Sequence, residues 1–225
     1  MVSKKKTVAI VAVTVIFCVV MALVDGVFKA DYFTKSIIKL AVFLICPLVY
    51  SVFDKQLDVR TLFKPNKQGM RIALLLCIPV YIVIFGGYLL LKDVFDFSGI
   101  TGALTGNIGV TGKNFIFVSL YISFVNSLLE EFFFRGFSFL TLRRVSSSKF
   151  AYIFSASVFS LYHVVMMIGW FSVGVFTIIL IGLFIGGLIF NYLNDKSGTI
   201  YPSWFVHMFA NFAINTVGFI LFDII

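Results

Sequence analysis

The chain has 225 residues, of which 60% are apolar and only 12% charged, with a net charge of +8 and a mean hydropathy of +1.06. A soluble domain of this length needs far more polar surface to cover its core, so the composition excludes one. The basic excess comes with no nucleic-acid-binding motif, and membrane topology accounts for it, so a nucleic-acid role is set aside.

The apolar residues come in long blocks, and about 20 such residues in a helix cross a hydrocarbon core of roughly 30 Å. Seven blocks qualify: 7–24, 37–53, 72–91, 114–142, 150–169, 171–193 and 200–222. The expected fold is all-α, a single integral membrane domain over residues 1–225. It is a polytopic transmembrane helical bundle of about seven spans, within a range of about six to eight.

The first block follows Lys4, Lys5 and Lys6, which raises a cleaved signal peptide as the rival reading. The following VMALVDGVFKA lacks a small-x-small cleavage site, and Phe17 before Cys18 is too bulky for lipoprotein processing. The block therefore reads as an uncleaved span. The segment 54–71 carries Lys55, Arg60, Lys64, Lys67 and Arg71 against Asp54 and Asp58, and 143–149 carries Arg143, Arg144 and Lys149 with no acid. If every block spans, these segments share one side with the N-terminus. Segments 25–36 and 92–113 balance their charges, and 168–172 has none. This is a positive-inside pattern, with a cytoplasmic N-terminus and an external C-terminus. Small size, short loops and lysine-rich style point to the cell membrane of a bacterium.

Segment 92–113 is rich in Gly and Thr and reads as an external loop, or one that dips back into the membrane. Cys18, Cys46 and Cys77 lie inside apolar blocks without metal-ligand spacing, which makes them packing residues. Gly182 and Gly186, four apart with Gly187 adjacent, predict close helix packing through a small-residue face. No internal repeat marks an inverted-repeat transporter.

In the second half, the ionisable residues inside apolar blocks are Glu130, Glu131, Arg135, His163 and His207, with Asn211 beside them. A charge at a helix centre costs roughly 2.5–3.5 kcal/mol on insertion scales, so such residues are functional candidates that face the bundle interior or a wet cavity. Glu131 and Arg135 are four apart and can pair, whereas Glu130 is rotated by about 100° and can point elsewhere. Phe159 and His163 share one helix face, as do His207 and Asn211. Counted from Arg143, Lys149 and Lys196, the positions of Glu130, His163 and His207 all lie about 16–21 Å from the basic end.

Three motifs, EEFFFR (Glu130, Glu131, Arg135), FSLYH (Phe159, His163) and HMFAN (His207, Asn211), fall in order on successive blocks. Together they resemble those of the CAAX protease and bacteriocin-processing family of intramembrane proteases, related to the Ras-converting CAAX endopeptidase. The resemblance covers roughly residues 114–215, the catalytic core helices of that family; the first half matches only as generic spans. The resemblance implies that Glu130 is general base on a water, with Arg135 supplying positive charge nearby. It also implies that His163 orients the water or shuttles its proton, and that His207 and Asn211 donate to the oxyanion. Glu131, Arg135 and Phe159 would support the site, and for Phe159 simple packing beside His163 is the stronger reading.

A zinc ion held by Glu130, His163 and His207 is the other option, since two histidines and a glutamate are a plausible set. No HExxH pair is present, and the resembled family is glutamate-dependent although historically called metalloprotease, so the expectation is no metal. The implied substrate is a membrane-embedded peptide or lipidated protein tail in the lipid bilayer. Three alternatives stay open on the sequence. The Glu131–Arg135 pair and the His207–Asn211 pair could be structural, a non-catalytic immunity or regulatory protein could keep the same fold, and a small transporter could use Glu130 and Arg135 as an ion relay.

Overall fold

The computed structural model describes residues 3–54, 57–97 and 99–225. Lys55, counted above among the basic residues of the second connection, lies outside them. The described helices are α1 Lys4–Gly26, α2 Tyr32–Phe53, α3 Val59–Leu62, α4 Lys67–Leu91, α5 Gly99–Ile108, α6 Phe115–Val145, α7 Ser148–Met167, α8 Val173–Ser197 and α9 Tyr201–Leu221. All but α3 and α5 are long and apolar enough to cross a membrane, giving seven spans. Among the described residues there is no strand. The chain is a polytopic all-α membrane bundle, as its block pattern predicts.

Short connections are possible because helix ends are capped by their own side chains. Asp31 accepts from the Phe33 and Thr34 amides, Asn66 from Gly69, and Ser147 from Phe150, which satisfies donors that would otherwise be orphaned in the first turn. Gly198, at φ +72°, closes α8 in the left-handed conformation that glycine adopts without steric cost.

Contacts divide the connections between two ends of the bundle. At one end Ser3 N donates to Val145 O (3.0 Å), Ile200 N to Leu62 O (3.0 Å) and Asn66 Nδ2 to Ser197 O (3.1 Å). Lys6 pairs there with Asp54 (2.9 Å) and Arg143 with Asp195 (3.4 Å). At the other end Gly99 lies against the Trp170 carbonyl, Gly174 against Phe95 and Gly112 against Phe222. The basic segments thus collect at one end.

Two expectations are corrected. Segment 92–113 is not simply a loop, because residues Gly99–Ile108 wind into α5, which approaches the α7–α8 connection at Trp170. Its Ile100, Ala103 and Leu104 keep helical spacing, a pattern masked by the surrounding glycines. The close helix approach in α8 is at Gly187, not at Gly182 or Gly186. A Cβ at Gly187 would lie 3.0 Å from Ala156 Cα of α7, whereas nothing lies within 4 Å of one at Gly182 or Gly186. One residue's rotation about the helix axis separates the packed face from the open one.

The packed centre is aromatic. Phe43 of α2 stacks on Phe133 of α6 at 4.1 Å between centroids, and Phe134 meets Phe159 of α7 edge-on at 5.3 Å. Lipid tails are as apolar as these rings, so close packing and polar contacts, rather than escape from water, favour this crossing.

Candidate active site

Both sides of the α6 glutamate pair are wound wider than an α-helix, with π-helical turns at Ile122–Asn126 and Glu131–Leu140. Such turns are rare and recur at functional sites. Within a membrane every backbone polar group must find a partner inside the protein, and neighbouring side chains attend to this stretch. Asn211 Nδ2 donates to Ile122 O (3.2 Å), Trp204 Nε1 to Phe124 O (3.2 Å) and Ser155 Oγ to Phe134 O (3.0 Å). Asn215 Nδ2 donates to Ser119 O (3.1 Å) and Ser123 Oγ (3.0 Å). Trp204, His207, Asn211 and Asn215 follow at spacings of three and four, so one face of α9 is turned to α6.

Glu130 and Glu131 point to different partners, as their rotation about the helix axis requires. Glu130 Oε1 accepts from Lys39 Nζ of α2 (2.6 Å) and from Asn126 Nδ2 (3.0 Å), while Lys39 also donates to Asn126 Oδ1 (2.6 Å). Glu130 Oε2 lies 3.8 Å from Nε2 of His163 and 3.8 Å from Nε2 of His207. Glu131 Oε1 lies 2.9 Å from His207 Nδ1 and 3.5 Å from Arg135 Nη1. Glu130, Glu131 and Arg135 are all buried.

Tautomers follow from the acceptors. His163 Nδ1 is 2.7 Å from the Phe159 carbonyl, which can only accept, so Nδ1 carries the proton. His207 Nδ1 faces a carboxylate by the same logic. In the neutral rings, both Nε2 atoms then carry their lone pairs, each nitrogen 3.8 Å from the second oxygen of Glu130. Separations of 3.8 Å are too long for direct hydrogen bonds.

Arg135 is fully buried among aromatic faces, its guanidinium 4.0 Å from the Phe159 ring centroid and 4.9 Å from that of Phe190. Cation–π attraction here replaces most of the hydrogen bonds a guanidinium makes elsewhere. Phe159 also meets the His163 ring (4.9 Å) and the His207 ring (5.9 Å) edge-on. It is thus a packing residue that touches three polar members of the site at once.

Two details differ from the expected arrangement. The positive charge on Glu130 is supplied by Lys39, with Arg135 paired to Glu131 instead. Asn211 is tied to the Ile122 carbonyl one face-turn away from His207, and no hydrogen bond among the described residues joins it to Glu130, His163 or His207. Lys39, Asn126, Trp204 and Asn215 were not singled out by the sequence. Lys39 stood near the start of the apolar block 37–53, where a lysine also reads as an interfacial anchor; Asn126, four before Glu130, carried a weak signal.

Part of the chain resembles a known protein family. Residues 112–213 match the family model described as Rce1-like, type II CAAX prenyl endopeptidase Rce1-like. No curated protein and no solved structure matches the chain. The matched stretch contains α6, α7, α8 and most of α9, including Glu130, His163, His207 and Asn211, but neither α1 nor α2. Over that stretch the chain is similar to the type II CAAX prenyl endopeptidases.

Proposed function

We propose that the chain is an intramembrane endopeptidase that hydrolyses a peptide bond in a membrane-embedded peptide or lipidated protein tail, using a water activated by Glu130. The observation that carries this reading is the convergence of the two histidine Nε2 atoms on Glu130 Oε2, each at 3.8 Å, inside a bundle of apolar helices. A water held by these three acceptors donates to two of them and turns a lone pair outward, as a nucleophile requires.

In this reading Glu130 Oε2 takes the water's proton as its oxygen attacks the scissile carbonyl, with His163 Nε2 fixing the water's orientation. The proton stays among Oε2 and the two Nε2 atoms. On His207 Nε2 it makes that ring a donor to the oxyanion, and the second N–H of Asn211 is the remaining donor. Collapse of the tetrahedral intermediate returns the proton to the leaving amine. A preorganised oxyanion donor is worth about 2.7–4 kcal/mol. The core of this machinery is residues 114–215, and the end that gathers the basic segments faces the cytoplasm of a bacterial cell.

Metal-free hydrolysis belongs to the same proposal. What supports it is the donor set: Oε1 of Glu130 is taken by an ammonium and an amide, and a dication at Oε2 would sit beside that ammonium. Activity that persists in chelator is the expected outcome, and loss restored by zinc would contradict it.

The test is to reconstitute wild type and Glu130→Gln in liposomes with membrane peptides and prenylated tails and to identify products by mass spectrometry. Cleavage by wild type alone supports the reading. A biological activity that is retained in full by Glu130→Gln, with no cleavage by either protein, favours a non-catalytic immunity or regulatory protein on the same fold.

A further inference from the structure

The shortest polar contact to Glu130 among the described residues comes from outside the stretch that matches the protease family. Lys39 sits two turns into α2, just before the π-helical segment Ala41–Ile45, and is only 4% exposed. Two of its three N–H donors go to Glu130 Oε1 and Asn126 Oδ1, both at 2.6 Å. Its ammonium also lies 5.1 Å from the Tyr162 ring centroid and 5.5 Å from that of Phe43. A second lysine, Lys35, is one turn earlier on the same helix, where a like charge would disfavour Lys39. That charge is cancelled by Asp25 of α1 at 2.5 Å, and Lys35 is held beside Met166 Sδ of α7 at 3.5 Å. The α1–α2 hairpin thus brings one compensated lysine and one lysine committed to Glu130.

We propose that Lys39 is a positioning residue for Glu130: by binding Oε1 together with Asn126, it fixes the carboxylate so that Oε2 faces His163 and His207. This rests on the hydrolase reading for its consequence but not for its geometry. A carboxylate with both oxygens free can rotate about its terminal bond, which is torsionally soft. The Lys39–Asn126 clamp occupies one oxygen and removes that freedom. It also offsets the cost of burying an ionised carboxylate. A lysine placed only for bundle stability would not need to select between the two oxygens.

His163 and His207 are the only histidines in the chain, so protein labelled with 15N-histidine reports on the site alone. In lipid nanodiscs, Lys39→Met is expected to shift the Nε2 resonances of both histidines, because Oε2 no longer holds its place. Lys196→Met, remote from the site, serves as the control and leaves them in place. In the liposome assay Lys39→Met is expected to lower kcat by at least about 100-fold, the scale of a general base out of position, with KM little changed. Lys39→Arg is expected to recover most of that loss. If Lys39→Met does not fold, Asn126→Leu removes the other donor to Oε1 and carries the same two measurements, with changes expected in the same direction. Histidine spectra that superpose on wild type, or an unchanged kcat, would overturn the proposal. If wild type itself shows no Glu130-dependent cleavage, the hydrolase reading fails, and the histidine spectra alone then decide whether Lys39 sets the carboxylate.

Discussion

Helices α4 and α6 show how differently two spans of one bundle can be used. In α4 the most apolar window has a mean hydropathy of 2.5 and only 6% of it is buried; in α6 the values are 1.4 and 44%. Leu74, Leu75, Ile78, Ile82 and Val83 of α4 are exposed, whereas all ten residues Glu131–Leu140 of α6 are buried. In water the more apolar helix would occupy the centre. In lipid the apolar helix is already at home outside, and the helix that carries charges needs protein around it. The bundle is ordered by its polar residues, and the least apolar spans become its core.

The sharpest way to test this contrast is at the centre of α6. Glu130→Gln keeps shape and removes the base, and we expect kcat to fall by about 10²–10⁴-fold in the liposome assay, together with a loss of stability because Lys39 stays buried without its counter-charge. Arg135→Leu leaves Glu131 buried without its cation and strips the guanidinium from the Phe159 and Phe190 rings. It should destabilise the protein by about 3–5 kcal/mol, read by denaturant titration in detergent. Phe133→Ala opens a cavity beside Phe43 and should cost about 3–5 kcal/mol, while Ile78→Ala on the outer face of α4 should fall within about 0.5 kcal/mol of wild type. Equal losses from the last two would break the comparison. The smallest contrast lies on α8. Gly187→Ala drives a Cβ against Ala156 and should destabilise by about 1–3 kcal/mol. Gly182→Ala, with open space around it, should stabilise by up to about 1 kcal/mol.

The α1–α2 hairpin contrasts with α6 in another way, because its apolar blocks gave no sign of chemistry. Residues 37–53 read as an ordinary span, yet Lys39 within it makes a direct contact to Glu130. A single lysine near the start of an apolar block is indistinguishable from an interfacial lysine reaching for headgroups. By contrast, EEFFFR, FSLYH and HMFAN were legible because each puts two polar or aromatic groups at helical spacing, which defines a face without any knowledge of neighbours. Helix-face spacing put Asn211 beside His207, and the wide turn at Ile122–Asn126 adds a carbonyl that takes one of its two amide hydrogens.

The sequence by itself determined that the chain lives in a membrane, that it crosses about seven times, which end gathers the basic segments and which three helices carry the costly side chains. Those properties depend on residue type and local period, and lipid penalises errors in them directly. Only the tertiary structure decided that Glu130 belongs with Lys39, that Gly187 rather than Gly182 meets α7, and that two Nε2 atoms converge on one carboxylate oxygen. These outcomes depend on helix rotation and crossing. A rotation of one residue, about 100°, exchanges one set of partners for another while leaving every local pattern in the sequence unchanged.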